Sequence, residues 1–122
     1  MITLTHVAKQ YDRIHIALHD VSFHVAAGEF LFLTGPSGAG KSTLLKLLMR
    51  DQVPSGGEIQ LAGHRLAAMP RREVPFLRRK LGVVFQDFKL IRTMTVFENV
   101  SFVLKILGVG YAEQKQRAFR AL

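Results

Sequence analysis

The chain has 122 residues, with 17 Lys and Arg against 9 Asp and Glu, a formal charge of +8. At 48% hydrophobic and 21% charged residues it carries enough apolar surface to fold, which excludes an intrinsically disordered chain, and its length leaves room for one domain and not two. With no cysteine it has no disulfide framework, thiolate metal site or thiol chemistry, as suits a reducing cytoplasm, and no apolar stretch is long enough to predict a membrane span or a signal peptide.

In chain order, Ile2, Leu4 and His6 alternate with Thr3, Thr5 and Val7 at the period of a strand. Ile14–Ile16 and Val21–Val25 continue in the same way, and Ala27-Gly28-Glu29 is a turn. Glu29 to Thr34 is nearly all apolar, the pattern of a strand covered on both faces in a parallel sheet. Lys41 to Arg50 is rich in helix formers, Pro54-Ser55-Gly56-Gly57 is a turn, and Glu58–Leu61 is a further strand. A helix is expected over Arg71–Arg79, opened by Pro70 and broken or restarted at Pro75. Leu81–Gln86 is a further apolar strand candidate. Thr95 with Glu98 makes a capping box, and Val96, Val100, Val103, Leu104 and Leu107 fall on one face of the helix that follows. Gly108 and Gly110 are expected to close it. Tyr111–Leu122 begins another helix whose pattern runs to the last residue, which suggests a truncated chain.

Gly35-Pro36-Ser37-Gly38-Ala39-Gly40-Lys41-Ser42-Thr43 fits the phosphate-loop pattern G-x-x-x-x-G-K-[ST], between an expected strand and an expected helix. The glycines permit backbone conformations that a Cβ blocks, so successive N–H groups can converge on an anion. The helix that follows adds its partial positive N-terminus. In such a loop Lys41 reaches the β- and γ-phosphates and Ser42 offers its hydroxyl to Mg²⁺. The pattern points to a nucleoside triphosphate without choosing between ATP and GTP, and a glycine-rich connector with an incidental Lys-Ser is the bland alternative.

With Tyr11 after the first strand, Val83-Val84-Phe85-Gln86 and Asp87-Phe88-Lys89-Leu90 beyond the loop, and then Thr95–Val100, the chain resembles the nucleotide-binding subunit of ABC transporters over its whole length from Ile2. The run Val74–Leu90 is most similar to the ATP-binding subunits of the cell-division type, and exporters of the lipoprotein-release and macrolide type have a comparable stretch. The resemblance implies an α/β P-loop NTPase with an N-terminal antiparallel β part and an incomplete parallel sheet flanked by helices. It implies that residues 1–122 are the N-terminal part of one nucleotide-binding domain, with a core to about 92 and the start of a helical subdomain over about 93–122. The implied cofactors are ATP and Mg²⁺. Tyr11 would stack on adenine, Gln86 would touch Mg²⁺ and the attacking water, and Asp87, Phe88, Lys89 and Leu90 would receive a transmembrane subunit of the FtsX type. The complete domain would form a homodimer held at the cytoplasmic face of the membrane through that partner.

Without the resemblance, Tyr11 is an ordinary strand-end tyrosine and Gln86 a polar residue closing a strand. The segment from Arg65 to Arg92 has eight Lys and Arg against Glu73 and Asp87, net +6, which suits acidic lipid headgroups or a solvated helix face equally. No nucleic-acid reader motif accompanies these charges, and the five histidines show no metal-ligand spacing. The chain holds no Leu-Ser-Gly-Gly-Gln and no apolar strand ending in Asp-Glu after Gln86. By resemblance it has the nucleotide cradle without the hydrolytic half: ATPase by family, inactive alone, with a non-catalytic nucleotide-binding scaffold as the alternative class. A P-loop kinase would need a lid and an acceptor site, and neither is legible.

Overall fold

The computed structural model describes residues 1–122, which divide into two compact units, Met1–Gly82 and Val83–Leu122. In the first unit β1 (Ile2–Gln10), β2 (Ile16–Val25), β3 (Gly56–Leu61) and β4 (His64–Arg65) form one antiparallel sheet in the order β2-β1-β3-β4. Helix α1 (Lys41–Leu48) follows the phosphate loop, and a 3₁₀ turn (Arg71–Glu73) leads into the short α2 (Val74–Arg78). Pro75 therefore restarts the helix in its first turn, where a missing N–H costs nothing. The core lies on one face of the sheet. Leu4, Val7, Leu18, Ile59 and Leu61 from the strands meet Leu44 and Leu47 of α1, together with Leu66, Met69 and Leu77.

β1 departs from strict alternation. Leu4 and Val7 are both buried although they are three residues apart, and His6, which period two would put beside Leu4, is exposed. A bulge is the cause. The register with β2 slips between Leu4 and Val7, and His6 and Asp20 both take positive φ (49° and 52°). One extra residue reverses the phase of the strand, so Val7 returns to the core side. The His6 ring joins the Asp20 carboxylate at 2.6 Å, and the His6 N–H donates to Ser22 Oγ at 2.8 Å. Across the pair, a Cβ on Gly57 would stand 2.1 Å from the His6 carbonyl oxygen, so β3 approaches β1 closely only because position 57 is glycine.

The expected parallel strand Glu29–Thr34 and the strand candidate Leu81–Gln86 are not formed. Glu29–Thr34 and Leu81–Gln86 carry no strand pairing, and every ladder in the sheet is antiparallel. Phe30 and Phe32 are each 79% exposed, with their rings edge-on at 4.8 Å, and Val84 is 93% exposed. An apolar run becomes a buried strand only when neighbours supply partners for its N–H and C=O groups, and β1 to β4 pair among themselves. Helix α1 ends at Leu48, short of the expected Arg50, which takes a positive φ of 56°.

In the second unit α3 (Val96–Ile106) and α4 (Tyr111–Ala121) pack on each other. The capping box is present: the Glu98 N–H donates to Thr95 Oγ1 at 3.2 Å, and the Thr95 N–H donates to Glu98 Oε2 at 2.7 Å. Gly108 ends α3 with φ 75°, with its own N–H bonded to Lys105 O and that of Val109 to Leu104 O, which together form a Schellman motif. Gly110 instead opens α4 as its N-cap. The expected stripe is not the packed one, since Val96, Val100, Val103 and Leu107 stay exposed. Ser101, Gln114 and Ala118 are the buried positions, and the Phe97 and Phe119 rings lie 5.7 Å apart. Small residues at 101 and 118 suit the close approach of two helices.

Candidate nucleotide-binding site

The loop Gly35–Gly40 is held by backbone geometry. Gly35, Gly38 and Gly40 have φ of 150°, 81° and 86°, and the Ala39 N–H closes a turn on Pro36 O. Gly40 is the buried anchor: a Cβ there would stand 2.3 Å from Ala17 O and 2.7 Å from Leu18 Cδ2, so the loop rests directly on β2. Gly40 is also the N-cap of α1, and as glycine it has no side chain to cap the helix. No acidic residue occupies the first turn. The uncapped N–H groups of that turn and the helix dipole therefore favour a negative group from outside.

Lys41 folds back over the loop, and its Nζ donates to Gly35 O and Pro36 O, each at 2.6 Å. This places an ammonium at the mouth of the loop. Ser42 is exposed beside it, whereas Thr43 is buried. Three or more His, Cys, Asp or Glu side chains suited to a metal are clustered nowhere. The donor set at the loop, one serine hydroxyl, therefore fits a Mg²⁺ that arrives with phosphate oxygens and waters, the way this ion is usually held.

Tyr11 reaches the first turn of α1. Its hydroxyl lies 3.2 Å from Thr43 Oγ1, and its pKa is lowered first by that hydrogen bond, with smaller help from Gln52, Lys46 and Lys9. The phenol is held from several sides. The Tyr11 backbone N–H donates to His15 O at 3.0 Å, the His15 ring meets the phenol ring edge-on at 5.6 Å, and Lys9 Nζ lies 5.4 Å from the ring centroid. Asp12 shapes the bend by accepting from the N–H groups of Ile14 and His15, at 2.9 and 2.7 Å. The family resemblance singles out Tyr11, and the loop pattern separately includes Thr43. Their contact, and the parts of Lys9, Asp12 and His15, follow from the bend between β1 and β2 and carry no motif.

Gln86 and Asp87–Leu90 belong to the second unit and are exposed. Phe88 and Lys89 take positive φ (55° and 51°), and Lys89 pairs with Asp87 at 2.6 Å, which holds the Asp87 carboxyl below its usual range. Phe88 is 74% exposed. The loop that follows is secured by Asn99, whose Oδ1 accepts from the Ile91 N–H and whose Nδ2 donates to the carbonyls of Ile91, Met94 and Thr95. In the sequence Asn99 is only one member of the run Thr95–Val100, and nothing in its local sequence shows that it staples a loop.

Comparison with known proteins adds a family model described as "ABC transporter", which matches residues 18–122. The chain belongs to the ABC transporter family. This ABC chain is 44% identical over its full length to the Cell division ATP-binding protein FtsE of Bacillus subtilis (strain 168), and covers 54% of it. It is 47% identical to the protein of the same name from Escherichia coli (strain K12), covering 55% of that one. Among solved structures, a dimeric post-hydrolysis state of the ATP-binding cassette MJ0796 bound to ADP and Pi matches 98% of the ABC chain at a TM-score of 0.87 and 33% identity, with 55% of that cassette covered. A bacterial Atm1-family ABC exporter with ATP bound matches 83% of it at a TM-score of 0.74 and 39% identity, with 17% of the exporter covered. The ABC chain thus spans about half the length of the curated relatives it matches. Its fold is that of the P-loop ABC-type NTPases, and no helix is long and apolar enough to cross a membrane.

Proposed function

We propose that this chain is the N-terminal, nucleotide-holding part of one ABC ATPase domain of the cell-division type. The observation that carries the reading is the loop Gly35–Thr43, seated on β2 through Gly40 at the uncapped N-terminus of α1, with Lys41 at its mouth. ATP lays its phosphates on the loop amides, Lys41 exchanges its carbonyl partners for phosphate oxygens, and Ser42 supplies a ligand to Mg²⁺. Tyr11 offers the face of its ring to adenine, and Gln86 reads the γ-phosphate and the metal. Asp87, Phe88, Lys89 and Leu90 dock a transmembrane subunit of the FtsX type. In the complete protein two such domains pair, and ATP hydrolysis drives that membrane partner at the cytoplasmic face. Support comes from the curated relatives named for cell division, at 44% and 47% identity, and from a related cassette that is dimeric and bound to ADP and Pi.

Lys41→Ala tests the core of the reading. The variant loses charge-assisted bonds to phosphate worth about 1.5–3 kcal/mol, so ATP affinity measured by calorimetry should fall about tenfold to a hundredfold. Equal affinity of variant and parent would overturn it.

A further inference from the structure

Tyr11 and Thr43 are 32 residues apart in sequence, and their hydroxyls meet at 3.2 Å. Either oxygen can donate in that pair, but an anion settles the direction. A phosphate oxygen only accepts, so a Thr43 hydroxyl that donates to it must accept from Tyr11. The result is a chain from phenol to threonine to phosphate, in which each bond polarises the next. We propose that the Tyr11 hydroxyl is a positioning group for the phosphate loop, holding Thr43 Oγ1 turned toward the ligand, so that Tyr11 contributes to phosphate affinity independently of any base. The inference rests on the reading of Gly35–Thr43 as a phosphate cradle.

Two features favour this over a tyrosine that merely finds a partner. A threonine inside a helical turn can rotate its hydroxyl back to a carbonyl one turn earlier, which would withdraw it from a ligand. Thr43 is buried in the first turn of α1 and bonds to Tyr11 instead. The phenol is also fixed from behind. Lys9 Nζ, lying against the ring, is itself held by Val53 O at 2.9 Å, and the bend is set by Asp12. The hydroxyl of so constrained a ring has Thr43 Oγ1 at 3.2 Å and Gln52 as its side-chain partners, of which Thr43 is the larger influence.

Inorganic tripolyphosphate separates the two roles of Tyr11, because it has no base to stack. Binding of tripolyphosphate and of ATP is measured for the parent chain, Tyr11→Phe, Thr43→Val and the double variant. Tyr11→Phe should weaken both ligands by the same factor, about three- to tenfold, as for a lost neutral hydrogen bond. The double variant should bind no more weakly than Thr43→Val alone, since the two hydroxyls act as one unit. Thr43→Ser, which keeps the hydroxyl, should restore sensitivity to Tyr11→Phe. Unchanged tripolyphosphate affinity in Tyr11→Phe, even with a lower melting temperature, would overturn the inference and leave the bond purely structural. Additive losses in the double variant would overturn it as well. If Lys41→Ala lowers tripolyphosphate affinity and Tyr11→Phe does not, this inference falls while the cradle stands. A parent chain that fails to bind tripolyphosphate removes both.

Discussion

A methyl group added at position 40 would meet Ala17 O at 2.3 Å, whereas one at position 38 would meet nothing within 4 Å. Both glycines have positive φ, 81° at Gly38 and 86° at Gly40, so alanine strains the backbone at either site by roughly 1–2 kcal/mol. Only Gly40→Ala adds a collision with a strand. It should lower the melting temperature more than Gly38→Ala and also weaken ATP binding, because the loop must lift from β2. Equal thermal shifts for the two variants would show that contact with β2 is not what seats the loop. The pattern G-x-x-x-x-G-K-[ST] names Gly35 and Gly40 and leaves Gly38 unspecified, but it gives no physical reason for the distinction. Their difference lies in a partner strand about twenty residues earlier in the chain. Tyr11 gives the same lesson. Stacking uses only the ring and makes Tyr11→Phe neutral, until the fold brings Thr43 to the hydroxyl.

Helices with local signals were readable, and elements that depend on distant partners were not. The box at Thr95 and Glu98 is a four-residue pattern, and it starts α3 where the sequence put it. Thr95→Ala should destabilise the α3–α4 pair by about 1 kcal/mol, read as earlier thermal loss of helical circular dichroism. The Glu98 carboxyl, which accepts from the backbone and hydroxyl of Thr95, is held below its ordinary pKa. Its contribution is full above the ordinary glutamate range and fades as the pH falls through the lowered value. Helix content should therefore fall on acidification, less steeply in Glu98→Gln, whose amide can still accept. No acid dependence in the parent would remove the carboxylate from the cap. Phe30–Leu33 shows the other side. Its composition is that of a buried strand, yet pairing needs partners that composition does not provide, and the segment stays exposed. The bulge at His6 was equally hidden, because alternation along Ile2–Val7 looks regular until the register with β2 slips opposite Asp20, which takes positive φ within that strand.

Taken whole, the chain combines a phosphate cradle with no Leu-Ser-Gly-Gly-Gln and no Asp-Glu strand end after Gln86. Electrostatic capture of a triphosphate needs amides and a cation, which are present. Turnover needs a carboxylate on Mg²⁺ and a group that orients water. On the function proposed above, the prediction for these 122 residues is ATP binding with no phosphate release above background. Steady release that Lys41→Ala abolishes would mean that another side chain of this chain orients the water.

The sheet of the first unit draws all four strands from residues 2–65, and the pairings are between strands already synthesised by then. That has a consequence in time. At roughly 5–20 residues per second, the 57 residues from Leu66 to Leu122 take about 3–11 seconds to translate. Hairpins such as β1–β2 and β3–β4 close in roughly microseconds, so once they have left the ribosome they pair while residues after Arg65 are still being added. The surface on which Gly40 rests is thus in place while later segments are still being added. Ribosome-bound chains halted at Leu122, which places 57 residues after Arg65, should already resist protease across β1–β3, and Gly57→Ala should abolish that protection; equal digestion of the two chains would show that the sheet waits for later segments.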